Sequence, residues 1–203
     1  MLLVRHAEST GNAERLIQGV TDLPLTPFGE RQAEALAQRL ARERRPCALY
    51  ASPLRRAWET ALTIGAVCDL SPQPLPDARE RDFGVGNGMP IAQALEQYAV
   101  SGGAPGDLRL VFPGEEAYDA FRERVAAAFL ALEERHDDET VVVVTHSGSI
   151  AAFLTVVLGL PADRHRLFRI GNASITTLDL RGGVAMVLGI NDRCHLDALA
   201  RPD

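Results

Sequence analysis

Val141-Val-Val-Val-Thr-His-Ser-Gly148 carries the strongest strand signal in the chain. Four consecutive valines leave no polar face, so this strand is expected to be buried on both sides, as in the middle of a parallel sheet. A helix is expected to follow, from about Ser149 to Leu158. In an open α/β sheet, ligands bind just outside the carboxyl ends of the strands. His146 stands at such an end, where a merely structural histidine is a poor explanation.

The same arrangement recurs at two other places. Leu2, Leu3 and Val4 form a short apolar strand, and Arg5 and His6 follow at once. Arg5 offers a planar fork of donors for an anion; His6 can serve as nucleophile, base or metal ligand. Cys47–Ala51 reads as a third strand. Ser52-Pro53 then reads as an N-cap followed by proline at the first helical position, opening a helix that runs to about Ala66. Arg55 and Arg56 fall in its first turn, where a cation opposes the helix dipole. One of the two is therefore expected to converge with the dipole on a bound anion, and the other to face solvent. Glu80, inside Arg79-Glu-Arg-Asp-Phe-Gly84, reads by itself as a surface carboxylate.

Between these junctions the chain alternates strands and helices, which makes the fold class α/β. Residues 9–25 lack periodicity and read as a loop. Thr26-Pro27 opens a helix with an apolar stripe at Ala33, Leu36, Ala37 and Leu40; the charge run Arg39–Arg45 reads as its solvated face and end. Residues 71–76, with three prolines, read as a connector with an edge strand. Residues 86–114, rich in Gly, Pro and small residues, read as a lid or insertion with one helical patch at Ile91–Tyr98. A helix covers about Glu116–Glu134, and residues 173–180 and 184–190 pair as a hairpin around Gly182-Gly183.

The 203 residues fit a single domain, 1–203, and 46% apolar content suffices for a core. No apolar run approaches the ~20 residues of a membrane span, and the first segment has the wrong flanks for a signal peptide. A net charge of −6 disfavours nucleic acid, so an anion site must be a local basic focus. All 21 basic residues are arginine, which removes Schiff-base and Walker lysines from consideration. Cys47, Cys68 and Cys194 are isolated and odd in number, as in a reducing cytoplasm.

Two imidazoles, two guanidiniums and one carboxyl suit phosphoryl transfer better than metal binding, because guanidiniums beside a metal cation are repulsive. Cations hold the phosphoryl oxygens, an imidazole attacks in line, and an acid protonates the leaving oxygen. A serine hydrolase built on Ser147 or Ser149 fails on motif: Gly-x-Ser-x-Gly requires glycine where Thr145 and Ser147 stand. A phosphate-sensing protein without catalysis has no need of Glu80.

At this point the chain resembles the histidine phosphatase superfamily, in the branch typified by cofactor-dependent phosphoglycerate mutase. The resemblance runs through Leu3-Val-Arg-His-Ala-Glu8, Asn12, Gln18-Gly19, Asp22, Pro24-Leu-Thr26, Gly29 and Gln32-Ala33. It continues through Ser52-Pro-Leu-Arg-Arg-Ala57, Thr60-Ala61, Glu80, Gly84 and Gly88, and ends with Pro113-Gly-Glu115, Thr145-His146-Ser-Gly148, Asn191-Asp192 and His195-Leu196. It implies a three-layer sandwich with a mostly parallel central sheet flanked by helices. It also implies a metal-independent, acid-type phosphatase that needs no cofactor. His6 would become the phosphohistidine, Arg5, Arg56 and His146 would surround the phosphoryl group, and Glu80 would donate the proton. Arg56, directly before Ala57, matches the family position, so Arg55 is the spare. Asn12, Gln18 and Gly19 would line the substrate pocket, joined by Arg81, Phe83 and Ser147.

The sequence departs from the family pattern where Ala7 and Ser147 replace glycines and where Gly86-Asn87 replaces Trp-Glu. Asp82 and Phe83 replace the mutase's His and Tyr. A mutase also needs several lid cations, and residues 86–114 hold one, Arg109. The expectation is therefore a phosphomonoesterase for a small phosphorylated metabolite, with mutase-type transfer as the alternative. A homodimer is compatible with the sequence; nucleic-acid and membrane partners are not expected.

Overall fold

The computed structural model describes residues 1–101, 108–182 and 184–200. In chain order its elements are β1 (Leu2–Arg5), α1 (Thr10–Ala13), β2 (Leu16–Ile17), α2 (Pro27–Glu43), β3 (Ala48–Ala51), α3 (Arg55–Cys68) and β4 (Gln73–Pro74). There follow β5 (Met89–Pro90), α4 (Ile91–Tyr98), β6 (Ala99–Ser101), β7 (Leu108–Leu110), α5 (Tyr118–Arg135), β8 (Val141–Thr145), α6 (Ser147–Val157), β9 (Ile175–Arg181) and β10 (Val184–Asp192).

Among the described residues, six strands form the central sheet in the order β10-β9-β1-β8-β3-β4. β8 lies parallel between β1 and β3, β4 is parallel to β3, and the β9–β10 hairpin closes the other edge antiparallel. The valines alternate as a doubly buried strand must. Val142 and Val144 join Leu2, Val4 and Leu49 against α2 and α3, while Val141 and Val143 join Leu3 and Tyr50 against Phe121 and Phe129 of α5 and Phe153 of α6. All four are 2% exposed or less, each worth about 1.5–3 kcal/mol of burial. This is the expected three-layer, mostly parallel sandwich.

Several local expectations are corrected. Residues 9–25 are partly structured: Ser9 caps α1 in a capping box with Asn12, and β2 pairs with β5. The helix after β3 starts at Arg55, with Leu54 at the N-cap, and not at Ser52-Pro53. Ser52 Oγ is occupied elsewhere: it accepts from the Leu54 N–H and lies 2.8 Å from His146 Nε2. Asp22, distant in sequence, caps α3 by accepting the Arg55 N–H at 2.6 Å. α6 begins at Ser147, two residues before the expected start, with His146 at its N-cap.

Arg39 does not belong to the solvated face of α2. It is buried, bonds Asp192 at 2.6 Å and Glu43 at 2.9 Å, and so ties α2 to the end of β10. Arg42, Arg44 and Arg45 are exposed as expected. Within 86–114, α4 has the expected limits and β6 pairs with β7; residues 102–107 lie outside the described residues.

Candidate active site

Three neighbouring strand ends build the site. The parallel register sets Arg5 against Thr145, and the His6 N–H donates to the Thr145 carbonyl at 2.9 Å. His6 and His146 therefore emerge side by side, with ring centroids 5.3 Å apart. On the far side of β8, the Ser52 N–H donates to the Val144 carbonyl, which places the start of α3 beside His146. Arg56 is 1% exposed, whereas the Arg55 side chain is 56% exposed and pairs with Glu59. Helix register thus turns Arg56 inward and leaves Arg55 to solvent.

His6 Nδ1 lies 2.7 Å from the Ala7 carbonyl. A carbonyl only accepts, so Nδ1 carries the proton and Nε2 is left with its lone pair. Burial first, then the guanidiniums of Arg56 and Arg5, hold the His6 pKa well below its ordinary value; the ring is neutral and nucleophilic near neutral pH. His146 is lowered for the same leading reason, burial, followed by Arg56 and His6.

Arg5 donates from Nη1 to the Ile170 carbonyl at 2.7 Å. Arg56 donates to the Thr21 and Gly19 carbonyls at 2.8 and 2.7 Å. Burial pushes both arginines down to about 10. Arg5 Nε, Arg56 Nε and His146 Nδ1 are buried without a hydrogen-bond partner among the described residues. Three such nitrogens around one nucleophilic imidazole suit a phosphoryl group, whose oxygens only accept. They do not suit a metal ion.

Glu80 is 9% exposed, not a surface carboxylate. Its Oε1 accepts the Arg81 N–H at 2.9 Å and its Oε2 the Gly148 N–H at 3.0 Å. A side chain at Gly148 would meet that carboxylate and displace it, so glycine leaves Glu80 its position. The backbone bearing Glu80 is pinned on three sides. Thr145 Oγ1 donates to the Ala78 carbonyl, Ser149 Oγ to the Arg79 carbonyl, and Arg124 Nη2 to the Glu80 carbonyl.

This geometry has a family. The chain belongs to the histidine phosphatase superfamily, branch 1. The family model matches residues 1–193. The chain is 33% identical to a metal-independent phosphoserine phosphatase of Arabidopsis thaliana, covering 98% of this chain and 84% of that protein. It is 32% identical to a probable phosphoglycerate mutase GpmB of Yersinia enterocolitica, covering 97% and 94%. Among solved structures, a phosphoserine phosphatase mutant of Entamoeba histolytica in complex with phosphoserine superposes with a TM-score of 0.81 at 26% identity, covering 96% of this chain and 98% of that one.

The remaining expected site residues of this histidine phosphatase fall into two groups. Asn12 and Gln18 meet at Ser9, whose single hydroxyl proton is shared between their side-chain oxygens, 2.9 and 2.6 Å away. Gly19, with φ of +48°, turns its carbonyl onto Arg56. The second group, Arg81 and Phe83, follows Glu80 in the chain and packs against Gly19 through the Phe83 ring and the Arg81 carbonyl. The Arg81 guanidinium bonds Glu115 at 3.1 Å, lies over the Phe83 and Tyr118 rings, and borders a cavity of about 550 Å³. Ser147, half-buried, opens α6. Asn87, in place of the family's Trp-Glu, ties Val20 and Phe83 through its carbonyl oxygen and Asp82 through its amide.

Sequence reasoning missed Asn172. Its amide donates to the His6 carbonyl at 3.2 Å, the Ala7 carbonyl at 3.3 Å and Asn12 Oδ1 at 2.9 Å. It thereby fixes the carbonyl that fixes the His6 tautomer. Ser52, Thr145, Ser149 and Arg124 were also passed over as positioning groups. Ser52 and Thr145 stand within the motifs of the family resemblance and Ser149 lies three residues after His146, so only Arg124 carried no sequence signal.

Proposed function

We propose that this chain is a phosphomonoesterase that hydrolyses a small, charged metabolite ester through a phosphohistidine on His6. The observation that carries the reading is the His6 ring, fixed with Nε2 unprotonated beside Arg5, Arg56 and His146. In the first step His6 Nε2 bonds to phosphorus as the phosphorus–oxygen ester bond breaks, and Glu80 passes its proton to the departing alkoxide. In the second, the Glu80 carboxylate takes a proton from water, the water oxygen bonds to phosphorus, and the phosphorus–nitrogen bond breaks. Arg5, Arg56 and His146 hold the phosphoryl oxygens throughout. The guanidiniums occupy the role a divalent ion would fill, which supports metal independence.

The organic part of the substrate is assigned to the Arg81 side, where Phe83, Glu115 and Tyr118 stand beside a cavity of about 550 Å³. A guanidinium and a carboxylate there suit a carboxylate- or amine-bearing tail, so phosphoserine heads the substrates to test. Asn12, Gln18, Gly19 and Ser147 are assigned to the pocket around the phosphate, and residues 86–114 to a lid on a single domain. No helix among the described residues is long and apolar enough to cross a membrane, and a cytoplasmic setting fits the free cysteines. The test is a panel of phosphate monoesters assayed for phosphate release with a strong chelator present. Wild type is expected to turn over and to show a phosphoryl mass adduct. His6→Ala is expected to show neither. Activity restored only by a divalent ion, or a phosphoenzyme in His6→Ala, would overturn the proposal.

A further inference from the structure

The opposite edge of the sheet carries a second cluster of reactive side chains. Among the described residues, Cys47, His136 and Glu139 form a group whose sulfur, ring nitrogen and carboxylate oxygen lie within 4.8 Å of one another. Cys47 directly precedes β3, and Glu139 lies in the turn before β8. His6, Ser52 and His146 follow the other ends of β1, β3 and β8. At about 3.3 Å per residue, the two edges are roughly 15 Å apart. The phosphatase chemistry does not use this group.

Backbone geometry and one buried phenol hold the three donors together. His136 caps the end of α5, and the Glu139 N–H donates to its carbonyl at 3.2 Å, folding the Glu139 carboxylate back to 2.7 Å from His136 Nδ1. Cys47 is fixed beside them: its N–H and its thiol both reach the Thr140 carbonyl, at 2.9 and 3.3 Å. The other ring nitrogen, His136 Nε2, lies 2.9 Å from the Tyr50 hydroxyl. Tyr50 is 3% exposed on β3 and accepts from Arg135 Nη2 at 2.7 Å. The imidazole is thus oriented from behind by a buried partner, with Nδ1 turned to the thiol and the carboxylate. Metal-binding histidines are oriented in this way by their second nitrogen.

We propose that Cys47, His136 and Glu139 form a binding site for a zinc-type divalent cation, remote from the phosphatase centre. Thiolate plus imidazole selects Zn²⁺ or Co²⁺ over Mg²⁺ and Ca²⁺. The Cys47 sulfur loses its proton to solvent as it bonds the cation. In the metal-free chain His136 Nδ1 holds its proton toward the Glu139 carboxylate; as the cation binds, Nδ1 releases that proton to solvent, Nε2 takes one up and donates it to Tyr50, and the Nδ1 lone pair bonds the metal. Glu139 binds as the carboxylate, and a water takes the fourth tetrahedral position. Two ligand charges neutralise the cation. The bound ion clamps the entry of β3 to the α5–β8 turn, joining segments about ninety residues apart in the chain (Cys47 and His136).

The test uses the full chain, stripped with a chelator, dialysed and kept reduced with a phosphine. Titration with Co²⁺ is expected to give a thiolate-to-metal charge-transfer band and tetrahedral d–d bands saturating at one equivalent. Zn²⁺ is expected to displace Co²⁺ and raise the melting temperature, because it binds the folded state alone. Cys47→Ser and His136→Gln should each lose the band, while Cys194→Ser keeps it. Tyr50→Phe, which removes only the oxygen behind His136, should weaken binding by about 10–100-fold. Metal-free melting curves check that each variant is folded. No thiolate band in excess Co²⁺, a band surviving in Cys47→Ser, or unchanged affinity in His136→Gln would overturn the site. None of these outcomes bears on phosphate release, which is measured separately.

Discussion

Glu80 shows most plainly how a residue's neighbours decide its role. In sequence it sits in a charged run; in the fold its carboxylate is buried against the start of α6 and its backbone is pinned by Thr145, Ser149 and Arg124. If it is the general acid, its value depends on the leaving group. Glu80→Gln is expected to slow phosphorylation of His6 by roughly 10²–10⁴-fold with an alkyl phosphate, the usual worth of general acid catalysis. With p-nitrophenyl phosphate, whose leaving group needs little protonation, the slowing should be far smaller. A burst of nitrophenol should then precede slow hydrolysis of the phosphoenzyme. Equal slowing of both esters in single-turnover experiments would remove Glu80 from that role.

At the scale of elements, α3 determines which arginine is buried beside the two histidines. Its first turn places Arg56 inward under the Gly19 and Thr21 carbonyls and Arg55 outward on Glu59. Arg56→Ala is expected to raise KM and lower kcat for phosphate esters together, since a guanidinium that holds the phosphoryl group stabilises both bound substrate and transition state. Arg55→Ala should leave both constants close to wild type. The reverse pattern in steady-state kinetics would mean that Arg55, not Arg56, serves the site. The helix start was misread in sequence because Ser52-Pro53 has the right residues for a cap. Ser52 does accept the Leu54 N–H as a cap would and also lies 2.8 Å from His146, but the helix itself begins only at Arg55. A cap supplied by Asp22 has no local signature.

At the scale of the whole molecule, burying two neutral imidazoles beside two guanidiniums makes stability depend on pH. Both histidines have lowered pKa values when folded and regain an ordinary value, about 6.5, when unfolded. Below that pH the unfolded chain binds protons that the folded chain refuses. Stability is therefore fully present above about pH 6.5 and falls as the pH drops, by about 1.4 kcal/mol per pH unit for each histidine. Denaturant unfolding between pH 7 and pH 5, without phosphate, should show this slope. His146→Gln should have a shallower one by about one proton. An unchanged slope in that variant would show that His146 is not held neutral.

The sequence by itself determined the layers and the location of the site. Val141–Val144 could satisfy no interface but two apolar ones, and the polar residues behind each strand had to emerge at the carboxyl edge. Arg5, His6 and His146 were legible for that reason, and so was the Arg55-Arg56 pair, since each is tied by a few residues of local structure to a strand end or a helix start; local structure did not choose between the two arginines. The burial of Glu80, which the family resemblance alone had singled out, the role of Asn172, the Asp22 cap and the burial of Arg39 were decided only by tertiary structure. Each depends on a partner between 33 and 166 residues away, Asp22 on Arg55 and Asn172 on His6 marking the limits. Such partners meet only once the sheet register and helix packing have closed, and no local propensity records that meeting.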